Sequence, residues 1–174
     1  PSSTGVYGLA PWFRNVPELE NITALPQRFA QAGYTTYTVG KLYHGRDWPK
    51  SGVKEFDVVA KTEPGLRPKK KRVATPRGGS GMDWGLYPYK ESDLIDSITA
   101  SWAVEQLNGK PKDPFFMAVG FSRPHVPLRA TQKWFDLYPE DQVILPPMLK
   151  NDRSDTPRFS WYLHWKLPEP RKKF

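Results

Sequence analysis

Two of the three histidines in this sequence, together with one lysine, could act on an anion. Lys41 and His44 lie in the segment Gly40–Gly45 (GKLYHG), whose glycines permit a sharp turn. His125 lies in Arg123–Pro127 (RPHVP), where prolines restrict the backbone that carries its ring. A lysine ammonium suits an anion with several oxygens, and a histidine can donate a hydrogen bond or protonate a leaving oxygen. The pattern therefore indicates chemistry on a sulfate or phosphate group.

The surrounding segments predict an α/β fold. We predict helices at 23–32, 94–107 and 131–138, and strands at 35–39, 56–60 and 114–120. The expected helix caps are Thr23, Ser92 or Asp93, and Thr131. Two of the strands run directly into the two loops, and sites in open α/β sheets gather beyond the carboxyl ends of strands. We therefore expect Lys41, His44 and His125 to converge on one site.

Apolar patterns predict how some of these elements pack. The apolar stripe of the helix at 94–107 consists of Leu94, Ile95, Ile98 and Trp102, and its last member could be Leu107. The continuous apolar run at 114–120 is typical of a strand buried on both faces. The third helix is expected to pack Trp134, Phe135 and Tyr138. Residues 158–165 fit a strand or a helical turn, and the sequence does not decide between them.

Composition bounds the class of protein. The chain has 174 residues, of which 38% are hydrophobic, so it can bury a core as one domain. It has no apolar run long enough to cross a membrane and no cysteine, which excludes disulfides and zinc–thiolate sites. The net charge of +8 favours an anionic partner. The basic run Lys69–Arg72 lies in a loop of about 61–81 that lacks interleaved aromatics, so nucleic acid is not the expected partner.

The remaining candidate groups favour structural roles. His164 lies among aromatic residues and is expected to pack rather than to bind a ligand. The carboxylates show no metal-binding spacing, so we expect no metal site within this chain. Nucleotide-binding glycine loops and the Gly-x-Ser-x-Gly nucleophile motif do not occur in the sequence.

Several segments resemble the sulfatase family, most closely its iduronate-sulfatase-like branch. The matching segments are Thr4–Tyr7, Leu25–Pro26, Gly33–His44, Gly120–Leu128 and Leu137–Pro139. They follow one another in order over most of residues 1 to about 147. Many sulfatases place one residue between the lysine and the histidine. This chain has two, Leu42 and Tyr43, as the iduronate-type branch does.

The resemblance implies that 1–174 is part of an alkaline-phosphatase-like α/β domain, with a mixed sheet flanked by helices and a tail rich in proline and tryptophan from about 139. It implies hydrolysis of a sulfate ester, of a sugar or of another small molecule. The family uses a formylglycine as its nucleophile and Ca²⁺ to polarise the sulfate. By position, Lys41 and His44 would hold sulfate oxygens. His125 would bind sulfate and assist the leaving group, and Arg123 would contact the substrate.

The chain also departs from the family pattern. The nucleophile motif, Cys or Ser followed by Pro-Ser-Arg and Thr-Gly, is absent, and Ser2 and Ser3 are poor substitutes. We expect the formylglycine and the calcium ligands outside this chain, which would then be a sulfatase segment inactive by itself. Two alternatives remain open: a basic module that binds nucleic acid or a sulfated polysaccharide, and a pseudoenzyme that retains the anion pocket. Family members tend to be secreted, periplasmic or lysosomal, and the sequence leaves the compartment open.

Overall fold

The structure, a computed structural model, describes residues 4–7, 12–44, 53–62, 64–69, 84–147, 149–151 and 154–160. The chain divides into two compact units, which are described separately. The first comprises Pro1–Leu66 and Ser92–Ser122, and the second comprises Arg67–Glu91 and Arg123–Phe174. In chain order, the helices and strands are α1 (Leu25–Gln31), β1 (Thr35–Gly40), β2 (Val58–Val59), β3 (Trp84–Leu86), α2 (Ile95–Asn108), β4 (Phe115–Gly120), β5 (Leu128–Ala130) and α3 (Gln132–Phe135). The predicted α/β fold class is confirmed.

A three-stranded parallel sheet forms the centre of the first unit, in the order β2-β1-β4. β1 and β4 pair along their whole length, from Thr35 opposite Phe115 to Gly40 opposite Gly120. β1 has a strand on each side and is therefore the buried strand, with Thr36–Val39 all buried. The two strands end side by side, as the predicted site requires.

Helix α1 lies against β1 and supports the start of the sheet. It begins after Ala24 rather than after the predicted cap Thr23, because the side-chain oxygen of Gln27 accepts the hydrogen bond from the Ala24 amide at 2.8 Å. Phe29 stacks on Phe116 of β4, with ring centroids 4.3 Å apart and an interplanar angle of 11°. The helix is thus fixed by its own first turn and by an aromatic contact with the sheet.

Helix α2 packs against β1 and β4, and the residues of its predicted stripe, Leu94, Ile95, Ile98 and Trp102, are half-buried. Its buried residues are Thr99 and Ala103, whereas Leu107 is 49% exposed. Small residues face the sheet because the contact is close: Thr99 Cγ2 lies 2.9 Å from the place where a Cβ of Gly40 would be. The predicted caps are also wrong, since Ser92 and Asp93 belong to a preceding 3-10 turn and Leu94 is the N-cap residue.

Strand β4 is less buried than its apolar sequence predicts. Phe115–Val119 are half-buried and Gly120 is buried. In the described part of the chain, β4 is an edge strand with β1 on one side only, and the full burial predicted for its residues is not observed. An apolar run indicates that a strand is hydrophobic, but it does not indicate how many strands lie beside it in the sheet.

The second unit contains a short parallel pair of strands. β3 and β5 pair from Trp84 opposite Leu128 to Leu86 opposite Ala130. Helix α3 is only four residues long, and the aromatic residues predicted to pack from this region are exposed by 42% to 74%: Trp134, Phe135 and Tyr138. A helix of about one turn cannot form an apolar stripe, since a stripe needs residues from successive turns.

Some of the predictions fall on parts of the chain that the structure does not describe. These are Lys70–Arg72 in the basic run, Ser2, Ser3 and His164; Lys69 is described and exposed. Residues 158–160 are helical, whereas 161–165 are not among the described residues. Of the helices that the structure describes, none has the length and apolar character needed to cross a membrane.

Candidate active-site segments

Gly40 and Gly120 bring the ends of β1 and β4 into backbone contact. The Lys41 amide donates a hydrogen bond to the Gly120 carbonyl at 2.8 Å. Gly40 has a φ of +80°, and a Cβ there would lie 2.0 Å from the Gly120 oxygen. A Cβ on Gly120 would lie 2.0 Å from the Lys41 oxygen. Both positions therefore require glycine, and the backbone of Lys41 is fixed beside the end of β4.

Lys41 and His44 extend from this fixed point at the carboxyl end of β1. Both side chains are exposed, whereas Leu42 and Tyr43 between them are half-buried. Within the described ranges, neither the Lys41 ammonium nor the His44 ring has a hydrogen bond or an ion pair. The segment Lys41–His44 thus presents two donor groups to solvent and turns the two intervening side chains inward.

Tyr43 packs its ring on an aromatic pair from a distant part of the sequence. Its ring meets Trp12 edge-to-face at 4.7 Å between centroids and Phe13 at 5.9 Å. Trp12 is only 6% exposed, and it contacts Phe13 at 4.4 Å. Such aromatic contacts contribute about 0.5–1.5 kcal/mol each beyond the area they bury. The inward side of the Lys41–His44 segment is therefore seated on Trp12 and Phe13.

A buried ion pair holds the turn that carries this aromatic pair. Arg14 Nε donates to Glu55 Oε1 at 2.8 Å, and the two side chains are 4% and 1% exposed. Arg14 also donates to the carbonyls of Glu20 and Ile22 and to the side-chain oxygen of Gln27. A buried pair is tolerated only when further hydrogen bonds satisfy its charges, and Arg14 has them. The pair joins the turn at Phe13–Asn15 to α1 and to the residues before β2.

The same groups control the ionisation of Tyr43. Burial raises the pKa of the Tyr43 phenol above its ordinary value of 10.0, and the Glu55 carboxylate raises it further, whereas Arg14 lowers it. Because the net direction is upward, Tyr43 is neutral at physiological pH. Its ring can then lie beside Glu55 without adding a second negative charge.

Asp96 supports the chain where it leaves β4. Its Oδ1 accepts a hydrogen bond from the Ser122 amide at 2.8 Å, across 26 positions of sequence. An acid in the first turn of a helix ordinarily serves as a cap or interacts favourably with the helix dipole. Instead, Asp96 fixes the first residues of the loop that leads towards His125.

His125 lies in the second unit, in a loop that contains hydrogen bonds between its own residues. Arg123 Nη1 donates to the carbonyl of His125 at 2.7 Å and to the carbonyl of Pro127. His125 Nδ1 lies 2.7 Å from the Val126 carbonyl, and it must be the donor because a carbonyl only accepts. The exposed ring has no partner for Nε2 among the described residues, so this nitrogen is available to a ligand.

The four residues predicted for the site lie in two different units. Lys41 and His44 lie together on one segment of the first unit, whereas His125 and Arg123 lie on one loop of the second. Their convergence stays a prediction. Sequence reasoning missed Tyr43 and Trp12, together with the buried ion pair, because no local pattern links residues so far apart. Over the described residues, no group of three or more His, Cys, Asp or Glu side chains could hold a metal ion.

Comparison with known proteins identifies the family. The sulfatase family model matches residues 1–161. A protein named sulfatase from Formosa agariphila is 35% identical over 170 residues, which cover 90% of this chain and 33% of that protein. Iduronate 2-sulfatases from human and mouse are each 26% identical, over 84% of this chain and 28% of their own length. The chain spans about a third of the length of these relatives, and it belongs to the sulfatase family.

Proposed function

We propose that this chain supplies anion-binding and proton-donating residues to an enzyme that hydrolyses sulfate esters. The observation that carries the proposal is the Lys41–His44 segment. It presents an ammonium and an imidazole, neither of which has a partner among the described residues, at the carboxyl end of β1, on a backbone that Gly40 and Gly120 fix. Preplaced donors of this kind stabilise developing negative charge without reorganisation.

In the proposed reaction, an oxygen that derives from water forms a bond to sulfur and the bond between sulfur and the ester oxygen breaks. The products are an alcohol and sulfate, and the leaving oxygen must gain a proton. Lys41 would bind the sulfate oxygens as a point charge, and His44 would donate a hydrogen bond to them. Both contacts would strengthen as negative charge accumulates.

His125 would provide the proton for the leaving oxygen. Its Nδ1–H is bound to the Val126 carbonyl, which orients the ring and leaves Nε2 as the group that faces a ligand. In the imidazolium form, Nε2–H could protonate the leaving alcohol and later regain a proton from solvent. This role requires His125 to approach the Lys41–His44 segment, which is part of the proposal.

Two groups known from the family are assigned to other parts of the protein. When present, Ca²⁺ would polarise the sulfate and a formylglycine would supply the attacking oxygen. The described residues of this chain do not form a metal site, so their roles are limited to binding the anion, orienting it and donating the proton.

A sulfated uronic acid sugar is the substrate class that we propose. The support is the name of two relatives, iduronate 2-sulfatase, and the net charge of +8, which favours an acidic polysaccharide. Arg123 remains a candidate substrate contact, because it lies on the same loop as His125.

The test uses the full-length protein that contains this chain. Hydrolysis of 4-nitrophenyl sulfate and of a 2-sulfated uronic acid disaccharide is measured for the wild type and for three variants. Lys41→Ala and His44→Ala are each expected to lower kcat/KM by about 10²–10³-fold, as loss of a charge-stabilising donor does. His125→Ala is expected to lower kcat by about 10²–10⁴-fold, as loss of a general acid does.

A matched control is Lys54→Ala. Lys54 is also an exposed lysine of the first unit, but it pairs with Asp57 near the start of β1, at the opposite end of the strand. Its removal should change kcat/KM by less than about twofold, because surface pairs contribute little. Absence of sulfate release by the wild type, or full activity of Lys41→Ala, would contradict the proposal.

A further inference from the structure

Among the described residues, the structure shows contacts of two kinds that hold the Lys41–His44 segment on the first unit. Its backbone is held at Lys41 by the Gly120 carbonyl, and its side-chain layer is held at Tyr43 by Trp12 and Phe13. The two exposed donor groups lie on either side of Tyr43. Loss of the ring contacts would leave Leu42 and Tyr43 as an unsupported link between Lys41 and His44.

We infer that Tyr43 is a positioning residue for Lys41 and His44, and that its ring, seated on Trp12, sets the distance between the two donors. The inference rests on the proposed function, since it concerns the same anion site. Tyr43 acts through the backbone of the segment and does not contact the substrate.

The seat is suited to this role because it is rigid. Trp12 is buried and adjoins the turn that Arg14 fixes through Glu55 and three further acceptors. Movement of the turn would break the ion pair and these hydrogen bonds together, and a buried charge that loses its partner is costly. The Tyr43 ring packs on this turn and is therefore held in a fixed position.

The ring of Tyr43, rather than its acidity, is the part that matters. The contacts with Trp12 and Phe13 are between ring faces and edges. The phenol is held neutral beside Glu55, because burial and the carboxylate both raise its pKa. A phenylalanine would retain the ring contacts, whereas an alanine would remove them.

The inference predicts a specific set of effects in the full-length protein. A displacement of about 1 Å can reduce a rate about 10²-fold. Tyr43→Ala should therefore lower kcat/KM on 4-nitrophenyl sulfate by about 10–100-fold, and it should weaken competitive inhibition by inorganic sulfate by about tenfold or more. Tyr43→Phe should restore both quantities to within about threefold of the wild type.

Tyr34→Ala is the matched control, because it also removes a half-buried tyrosine from the first unit. Tyr34 packs edge-to-face on Phe29 at 5.1 Å and lies before the start of β1, away from the donors. It should lower the free energy of unfolding by an amount similar to that of Tyr43→Ala. Inhibition by sulfate should stay within about twofold of the wild type, since a purely structural loss does not move the donors.

Several outcomes would overturn the inference. Equal effects of Tyr43→Ala and Tyr34→Ala on sulfate inhibition would reduce Tyr43 to a structural residue. Equal effects of Tyr43→Phe and Tyr43→Ala would show that the ring contact is not the cause. If Tyr43→Ala does not fold, Tyr43→Leu, which keeps apolar volume but no ring, takes its place with the same expectations.

A readout without turnover separates this inference from the proposed function. Hydrogen exchange of the amides in Lys41–His44 should accelerate in Tyr43→Ala and not in Tyr34→Ala. If the wild type releases no sulfate but this difference is found, the proposed function fails and the positioning role stands. If the wild type is active and the exchange rates do not differ, the positioning role fails alone.

Discussion

The two loops that carry the candidate residues are held in opposite ways. The Lys41–His44 segment depends on distant partners: Gly120 fixes its backbone and Trp12 seats its inward side chain. The hydrogen bonds that the structure shows in the His125 loop are local, since Arg123 binds carbonyls two and four residues further along and His125 binds the next one. A site that needs fixed donors can therefore be built from tertiary packing or from local hydrogen bonds. Mutations should therefore affect the two loops differently: the first through distant residues, and the second through residues of the loop.

The largest effect is expected where the first loop meets β4. Gly40→Ala would force a Cβ to within 2.0 Å of the Gly120 oxygen, and the strand ends would have to separate. We expect a loss of about 3–5 kcal/mol in the free energy of unfolding, measured by urea denaturation. This result would show that the first loop is held by its contact with Gly120, which is 80 positions away from Gly40 in the sequence.

Gly33→Ala is the control for this substitution. Gly33 also has a positive φ, of +86°, but no atom lies within 4 Å of a Cβ placed there. It should lose only about 1–2 kcal/mol, the cost of a left-handed backbone for a residue with a side chain. Equal losses for the two variants would show that backbone strain alone, and not the contact with β4, is responsible.

A smaller effect is expected in the second loop. Arg123→Ala removes the donor to the carbonyls of His125 and Pro127, and hydrogen bonds from a charged group contribute about 1.5–3 kcal/mol. Arg123→Lys keeps the charge, but a single ammonium does not reproduce the planar guanidinium. We expect both variants to lower kcat in the full-length enzyme through a misplaced His125, with Arg123→Lys the milder.

Full activity of both Arg123 variants would contradict the conclusion that local hydrogen bonds position His125. The His125 loop would then be held by something other than its own arginine. Arg129→Ala is a suitable control in the same unit. Of its contacts, the structure shows a long hydrogen bond of 3.5 Å from Nη1 to Leu86, so its removal should leave kcat close to that of the wild type.

The smallest effect concerns the start of β1, away from the donors. Lys54 lowers the pKa of Asp57 from 3.8 to about 2, with help from the Thr36 amide and hydroxyl. Because the folded-state pKa is depressed, the stabilisation is complete above pH 3.8 and is lost as the pH falls towards about 2. The partial exposure of the pair limits the contribution to about 1 kcal/mol.

Asp57→Asn should remove this part of the acid dependence. Unfolding free energies of the two proteins should converge as the pH falls through this range, and they should differ most at neutral pH. At a given pH, Asp57→Asn should not change hydrogen exchange of the Lys41 amide, which is bound at the other end of the strand. Faster exchange there would mean that the two ends of β1 are coupled and that the first loop depends on more than Gly120 and Trp12.

The sequence predicted the framework because the framework depends on local patterns. The helix and strand that enclose 25–40 are recognisable from apolar spacing and from the β-branched and aromatic residues of Thr35–Val39. Lys41 and His44 became candidates for the same reason, since glycines bracket them and a strand precedes them. The prolines around His125 likewise marked its loop.

The rest depends on contacts that have no local signal. Arg14 and Glu55 are 41 positions apart, and either residue alone is an ordinary surface charge in the sequence. The exposure of β4 depends on how many strands lie beside it, which its own residues do not state. The role of Asp96 could not be separated from capping, because both roles place an acid at a helix start.

The opposed glycines at the ends of β1 and β4 have a consequence for protein engineering. Libraries built to test the proposed activity should leave Gly40 and Gly120 untouched, since any side chain there would separate the strands. Diversity belongs in the length of the chain between Lys41 and His44. A change of that length would move His44 relative to Lys41 while the origin of the segment stays in place.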